Sequence, residues 1–324
     1  MTLLDRPAGG TPAGVDGTPP PGARARRARG PLGRAVRPAR PPRPATRPDD
    51  RTALASSALT MVALVCLWTA AQLLFLGALS HERAQELLYR DFRTQVASAT
   101  APIGPIVPVG DPVALLSVPR LGLQEVVVEG TASGDTLVGP GHRRDTVLPG
   151  QVGTSVVYGR AATYGGPFGD LTELRAGDTI EVTGAQGEVA FTVRGVRRAG
   201  DPLPAPAEEG AARLTLVTAE GEGRFAAIAP ESAVYVDADA REGFPAPPGR
   251  PLAVPDSEKA MASDAGAMPL LALHLALLVA LVLGVLSARQ RWSTYLVWVV
   301  ASPLALALSW ATTDVAVRLL PNVL

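Results

Sequence analysis

Three long apolar runs and a block of short alternating ones divide the chain. Leu54–Leu79 carries no charged residue and exceeds the ~20 residues a helix needs to cross a bilayer core. Met268–Leu286 and Trp292–Thr313 are two further runs of this kind, so residues 54–79, 268–287 and 292–313 are expected to be transmembrane α-helices. Trp292, Tyr295 and Trp310 sit near the ends of the last, as interfacial aromatics do, and Pro303 within it is tolerable in lipid. After the first run the period changes. Leu87, Leu88, Phe92 and Val96 recur at helical spacing with charges between them. This predicts an amphipathic stalk helix over His81–Ala99, with His81 a solvated residue at the membrane edge. Pro102, Pro105, Pro108 and Pro112 end it and leave an extended linker, so residues 80–112 are stalk and linker.

Residues 113–239 read differently again. Short β-branched or alternating runs occupy Ala114–Val118, Glu125–Glu129, Thr154–Tyr158, Thr179–Thr183, Glu188–Val196, Arg213–Ala219, Arg224–Ala229 and Ala233–Ala238. Turn signals such as Ala185-Gln186-Gly187 separate them. Eight closely spaced strands with few helices predict a mainly β domain, an eight-stranded closed β-barrel. Residues 240–267 are a Pro/Gly-rich linker, and residues 314–324 a short tail with Arg318 near the headgroups.

Composition fixes the orientation. The formal net charge is zero, with 30 basic and 30 acidic residues, but the charge is unevenly spread. Residues 1–53 are rich in Arg, Pro, Gly and Ala and nearly free of large apolar side chains. Such a segment buries too little surface to offset its ordering entropy, so it is expected to be disordered. A nucleic-acid arm is one reading of its arginines. A cytoplasmic tail obeying the positive-inside rule is favoured, because an apolar run follows at once; no nucleic-acid partner is expected. The barrel is then extracytoplasmic, in a multi-pass protein of the cell membrane. The lone lysine, Lys259, among many arginines suggests a GC-rich genome such as an actinobacterium's. A single cysteine, Cys66, excludes an intramolecular disulfide and lies in an apolar run, where it reads as a small hydrophobe.

Several stretches of the barrel region resemble the sortase family, particularly its actinobacterial class E. Leu116–Leu123 followed by Val126–Gly130 is similar to the family's opening two strands. Gly139-Pro140-Gly141-His142 leading to Leu148-Pro149-Gly150 is similar to its next stretch, where His142 takes a structural or solvent-facing role rather than a catalytic one. Gly159-Arg160 with Tyr164–Phe168 resembles the family's Gly-His-Arg region, and Arg213–Ala219 resembles the strand that ends on the nucleophilic cysteine.

The resemblance implies a cell-wall transpeptidase that needs a thiolate, a histidine that moves protons and an arginine that stabilises the oxyanion. Carried over by position, Arg160 stands for the histidine, Ala219 for the cysteine, and Arg224 is the nearest candidate for the arginine. Alanine has no nucleophile, and a guanidinium cannot serve as a base. Thr218 neighbours the cysteine position, but alternation turns its side chain to the other face of the strand. The resemblance therefore implies a degenerate, inactive member. Arg160, Arg224, Tyr164 and Thr218 could line a groove for a peptide or an anion, with a secreted or cell-wall protein or an active sortase as partner. No cofactor and no metal is expected. The alternatives are neutralisation of the arginines by Glu220 or Glu222, and an active transpeptidase or peptidase with a non-standard site.

Overall fold

The computed structural model describes residues 59, 63, 65–221, 230–288 and 290–324. By its contacts the chain divides into Met1–Ala53 and Leu54–Leu324. The expected tail over residues 1–53 lies outside the described residues, as does the expected strand Arg224–Ala229.

Eight strands close into a barrel in the order β1-β2-β3-β4-β7-β8-β6-β5. They are β1 (Pro112–Val118), β2 (Leu123–Glu129), β3 (Gly141–His142), β4 (Gly153–Tyr158), β5 (Thr179–Gly184), β6 (Gly187–Arg198), β7 (Ala212–Glu220) and β8 (Ser232–Ala240). Neighbours are antiparallel except β2 with β3 and β4 with β7. The closed barrel is as the alternation predicts, and among the described residues it includes one strand that the alternation does not. The two-residue β3 completes the circuit, and so short a strand has no period to read. Alternation is clearest in β6, where Val189, Phe191 and Val193 face inward between exposed neighbours. They join Leu116, Phe168, Leu171, Ile180, Leu214 and Leu216 in the core. β7 departs from alternation: Ala212–Ala219 are buried without a break. Its inner face is in the core, and its outer face is covered by other segments of the chain.

From residue 65 on, the first apolar run and the stalk are continuous. Residues 65–71 are helical, Gln72–Leu76 form a single π turn, and α1 (Gly77–Ala97) continues from it. α1 lies against the barrel. Gln85 acts as a substitute strand edge: its Nε2 donates to Val126 O and Val138 O at 3.1 and 2.9 Å, and its Oε1 accepts from Val126 N at 2.7 Å. Phe92 is buried beside the barrel. His81 is not solvated but buried, with Nδ1 3.2 Å from Leu137 O and Nε2 3.1 Å from Glu125 Oε2. Of the four apolar stalk residues only Phe92 is buried and Leu88 half-buried, while Leu87 and Val96 stay exposed; the face turned to the barrel runs through His81, Gln85 and Phe92.

Among the described residues two helices, not three, are long and apolar enough to cross a membrane: Ala265–Ala288 and Tyr295–Val317. The start of the expected first span lies largely outside the described residues. α2 (Met268–Ala288) buries no residue, although it is apolar all round. Apart from a half-buried stripe through residues 271, 274, 278, 281 and 285 it is uncovered, and such an apolar surface is suited to lipid. α3 (Thr294–Val317) keeps its helix through Pro303, and Ser293 caps it by accepting from Leu296 N.

Burial alone would lower the proton affinity of His81, but Glu125 and the Leu137 carbonyl outweigh it and hold its pKa above the ordinary value. Its contribution to stability is therefore complete below the unfolded pKa of about 6.5 and is lost as pH rises through the folded pKa. Burial also pushes the nearby Asp135 carboxyl up to about 6, against the Ala132 N–H that it accepts. Stability from Asp135 falls earlier, as pH rises from its ordinary value to about 6. Melting of the detergent-solubilised chain should decline in two separable windows. His81→Gln should remove only the upper one and Asp135→Asn only the lower. A profile unchanged by both would contradict these assignments.

Candidate functional site

The parallel pairing of β4 with β7 assembles the site. The register runs from Gly153↔Ala212 to Tyr158↔Val217. Gly159 N extends it by donating to Val217 O at 2.9 Å. Both strands point the same way, so the residues just past their pairing, Arg160 and Ala219, emerge at one end of the sheet. Gly159 is required there, because a Cβ would lie 2.4 Å from the Phe168 ring.

Ala219 lies on the outer face of β7. Its methyl belongs to a small apolar cluster with Tyr158, Val217, Ala233 and Val323. Thr218 points the other way: its Oγ1 is buried without a hydrogen-bond partner. Arg160 is wholly buried. Its Nη1 donates to Thr163 Oγ1 at 2.9 Å, and its Nη2 to Ser133 O at 2.8 Å and Ser133 Oγ at 2.9 Å. No carboxylate among the described residues forms an ion pair with it. Burial lowers its pKa to about 10, partly offset by Tyr164, whose ring centroid is 5.7 Å away. The guanidinium stays charged at neutral pH and is solvated by hydroxyls and a carbonyl. Glu220 does not neutralise it; Glu220 pairs with Arg198 at 2.7 Å. Glu222 and Arg224 lie outside the described residues.

Tyr164 carries the site toward α3. Its hydroxyl donates to Asp314 Oδ1 at 2.5 Å, and Gln72 Nε2 at the π turn donates to the same oxygen at 3.3 Å. Burial and Asp314 push the phenol well above its ordinary pKa. Gly77 lets the helix approach: a Cβ would lie 3.2 Å from the Tyr164 ring.

Residues after α3 fill the end of the groove. Asn322, Val323 and Leu324 are buried. Asn322 Nδ2 donates to Thr131 O at 2.6 Å and Lys259 O at 2.9 Å, its N–H donates to Ala262 O at 2.9 Å, and its carbonyl accepts from Thr136 Oγ1 at 2.7 Å. Val323 O accepts from Ala161 N at 3.0 Å. Leu324 O accepts from Thr163 N at 3.4 Å and from Thr163 Oγ1. The expected short tail ends in a packed strap, and Ala219 and Arg160 are covered. Beyond Tyr158 and Tyr235 the groove opens into a cavity of about 510 Å³, walled by Leu203 and Pro204 of the Pro-rich loop. Its arginines are matched: Arg197 pairs with Asp237 at 2.5 Å and Arg213 with Asp239 at 2.6 Å.

His142 is buried rather than solvent-facing, between Glu129 Oε2 at 2.7 Å and Val147 O at 2.8 Å, and takes a structural place. Cys66 lies in the first helix, outside the groove cluster. Among the described residues no group of His, Cys, Asp and Glu is placed to hold a metal ion. Arg160 and Tyr164 lie side by side, and Ala219 ends the neighbouring strand in a separate apolar cluster; the sequence reading misses Ser133, Thr136, Thr163 and Asn322. Isolated hydroxyl and amide residues in loops carry no periodic signal; the apolar Val323 and Leu324 after Pro321 were the one available hint.

Residues 116–229 match the family model of the sortase domain. Over these residues the chain is similar to the sortase domain. No curated protein matches it. Among solved structures, the Sortase D5 transpeptidase of Clostridium perfringens is 17% identical, the match covering 50% of this chain and 98% of that one with a TM-score of 0.39. A sortase from Corynebacterium diphtheriae is 22% identical over 44% of this chain and 93% of its own, with a TM-score of 0.36. A sortase E variant from Streptomyces avermitilis is 26% identical over 47% of this chain and 100% of its own, with a TM-score of 0.34.

Replacing Gly159 by Ala should overpack the Phe168 contact and destabilise the barrel by about 1–3 kcal/mol. Chemical unfolding of Gly159→Ala against the parent chain measures it; an unchanged midpoint would mean that the strand end yields freely.

Proposed function

We propose that this is a membrane-anchored, extracytoplasmic sortase-domain protein that does not catalyse transpeptidation and serves as a peptide-binding or scaffold module in cell-surface assembly. The observation that carries this reading is the pair Ala219 and Arg160, adjacent at the end of the β4–β7 pair. One offers a methyl group where attack would start, the other a permanent cation where a proton acceptor would stand. The hydroxyls nearby are no substitute, because Ser133 and Thr163 already accept from Arg160 and donate onward to Val317 O and Leu324 O. Neither faces a base that could activate it.

The anchor is taken to be three helices, the first being the apolar run that ends in the π turn. The N-terminal arginines and the Arg291 turn then lie on the cytoplasmic side and the barrel outside. Secreted or cell-wall proteins, or an active sortase, are the partners that such a placement suits. An anion-binding role for Arg160 fits less well than a peptide-binding one, since its hydrogen-bonding groups are largely engaged inside the protein.

The decisive assay is turnover of a fluorescence-quenched sorting peptide by the purified full chain. No turnover is expected from the parent or from Ala219→Cys alone. The Ala219→Cys single change lacks a proton acceptor and leaves the strap in place. Turnover by the parent chain that a groove substitution abolishes would establish the alternative, an active enzyme with a non-standard site.

A further inference from the structure

The strap after α3 has the features of a ligand rather than of a loop. One residue, Asn322, makes four hydrogen bonds to two separate segments: residues 131–136 and the turn 259–262. The next, Val323, places its side chain among Tyr158, Val217, Ala219 and Ala233 and bonds through its main chain to Ala161. The third, Leu324, bonds through its main-chain oxygen to Thr163, the residue that also receives Arg160. Main-chain bonds with a pocket for a chosen side chain are how grooves bind extended peptides. The filled part also continues into open space, since Tyr158, Tyr235 and Ala260 border both the Val323 cluster and the 510 Å³ cavity. The groove is therefore longer than its present occupant.

We propose that Leu320–Leu324 is the groove's resident ligand, supplied in cis by α3, and that the groove exchanges it for an extended peptide of another protein with Asn followed by an apolar residue. This rests on the non-catalytic reading above. The Asn322 pocket supplies selectivity, because the buried Thr131 carbonyl is left unpaired by a residue without an amide donor. The Val323 pocket is small and floored by the Ala219 methyl, so it takes an aliphatic side chain. Tethering sets the threshold for exchange. A short tether gives the strap an effective concentration in the millimolar range, so an incoming peptide competes only after local opening or at high local concentration.

The test is fluorescence anisotropy with a fluorescein-labelled peptide containing Leu-Pro-Asn-Val-Leu, on the full chain in detergent. Asn322→Ala combined with Val323→Ser weakens the strap and should raise the peptide's apparent affinity at least ~10-fold over the parent chain. A peptide with Ala for Asn should bind that variant at least ~10-fold more weakly. Equal binding of the two peptides, or no saturable binding to a variant that still melts cooperatively, overturns the proposal. If that variant does not fold, a lock keeps the question open to test. Ala219→Cys with Val323→Cys in a Cys66→Ser background should bind millimolar peptide when reduced and not when oxidised; binding that ignores the redox state also overturns the proposal. Chromatography of the peptide after incubation with the strap-weakened variant separates the two readings. Cleavage would overturn the non-catalytic reading, whereas binding lost without cleavage would sink the exchange proposal alone.

Discussion

Parallel pairing between β4 and β7 is the constraint on which the site depends. Antiparallel neighbours would carry the residues past Tyr158 and Val217 to opposite ends of the sheet. The parallel register instead brings Arg160 and Ala219 out side by side. It also demands Gly159, because Phe168 packs where a side chain would stand. At that end of the sheet the Ala219 methyl packs among apolar side chains, and the Arg160 guanidinium turns to Ser133 and Thr163.

A fully buried guanidinium without a carboxylate is costly, and a single partner removed from such a group leaves a large penalty. The chain meets that cost with neutral oxygens: two from Ser133 and one from Thr163. The Tyr164 ring lies beside the charge, and Asp314 takes the tyrosine's proton in a hydrogen bond from beyond. Cation, phenol and carboxylate thus form a line from the groove to α3. The line gives α3 a structural link to the barrel, and the strap that follows it closes over Ala219. An apolar helix with one acidic residue near its end has a reason for that residue here.

The barrel was legible because β6 and β7 carry unambiguous patterns, Val189-Phe191-Val193 on one face and the β-branched run up to Thr218. The pairing of Arg160 with Ala219 was legible through the family resemblance, not through any property of either residue alone. Other features had no such signal. His81 and Gln85 look like ordinary polar positions on an amphipathic helix, and only the partner surface shows that they bond to Glu125, Leu137 and Val126. β3 is too short for a period. Asn322 is read as a tail residue because its four partners come from positions far away in the chain. Long-range hydrogen bonds to main-chain carbonyls depend on where loops finish, which no local pattern records.

The position of the strap in the chain also imposes an order in time. β7 is complete at Glu220, whereas Asn322 is added only after α2 and α3 have been made. At roughly 5–20 residues per second, translation of the intervening stretch occupies several seconds. During that interval the barrel can close while its groove is still vacant. The strap can cover Ala219 only once α3 and the residues that follow it are in place.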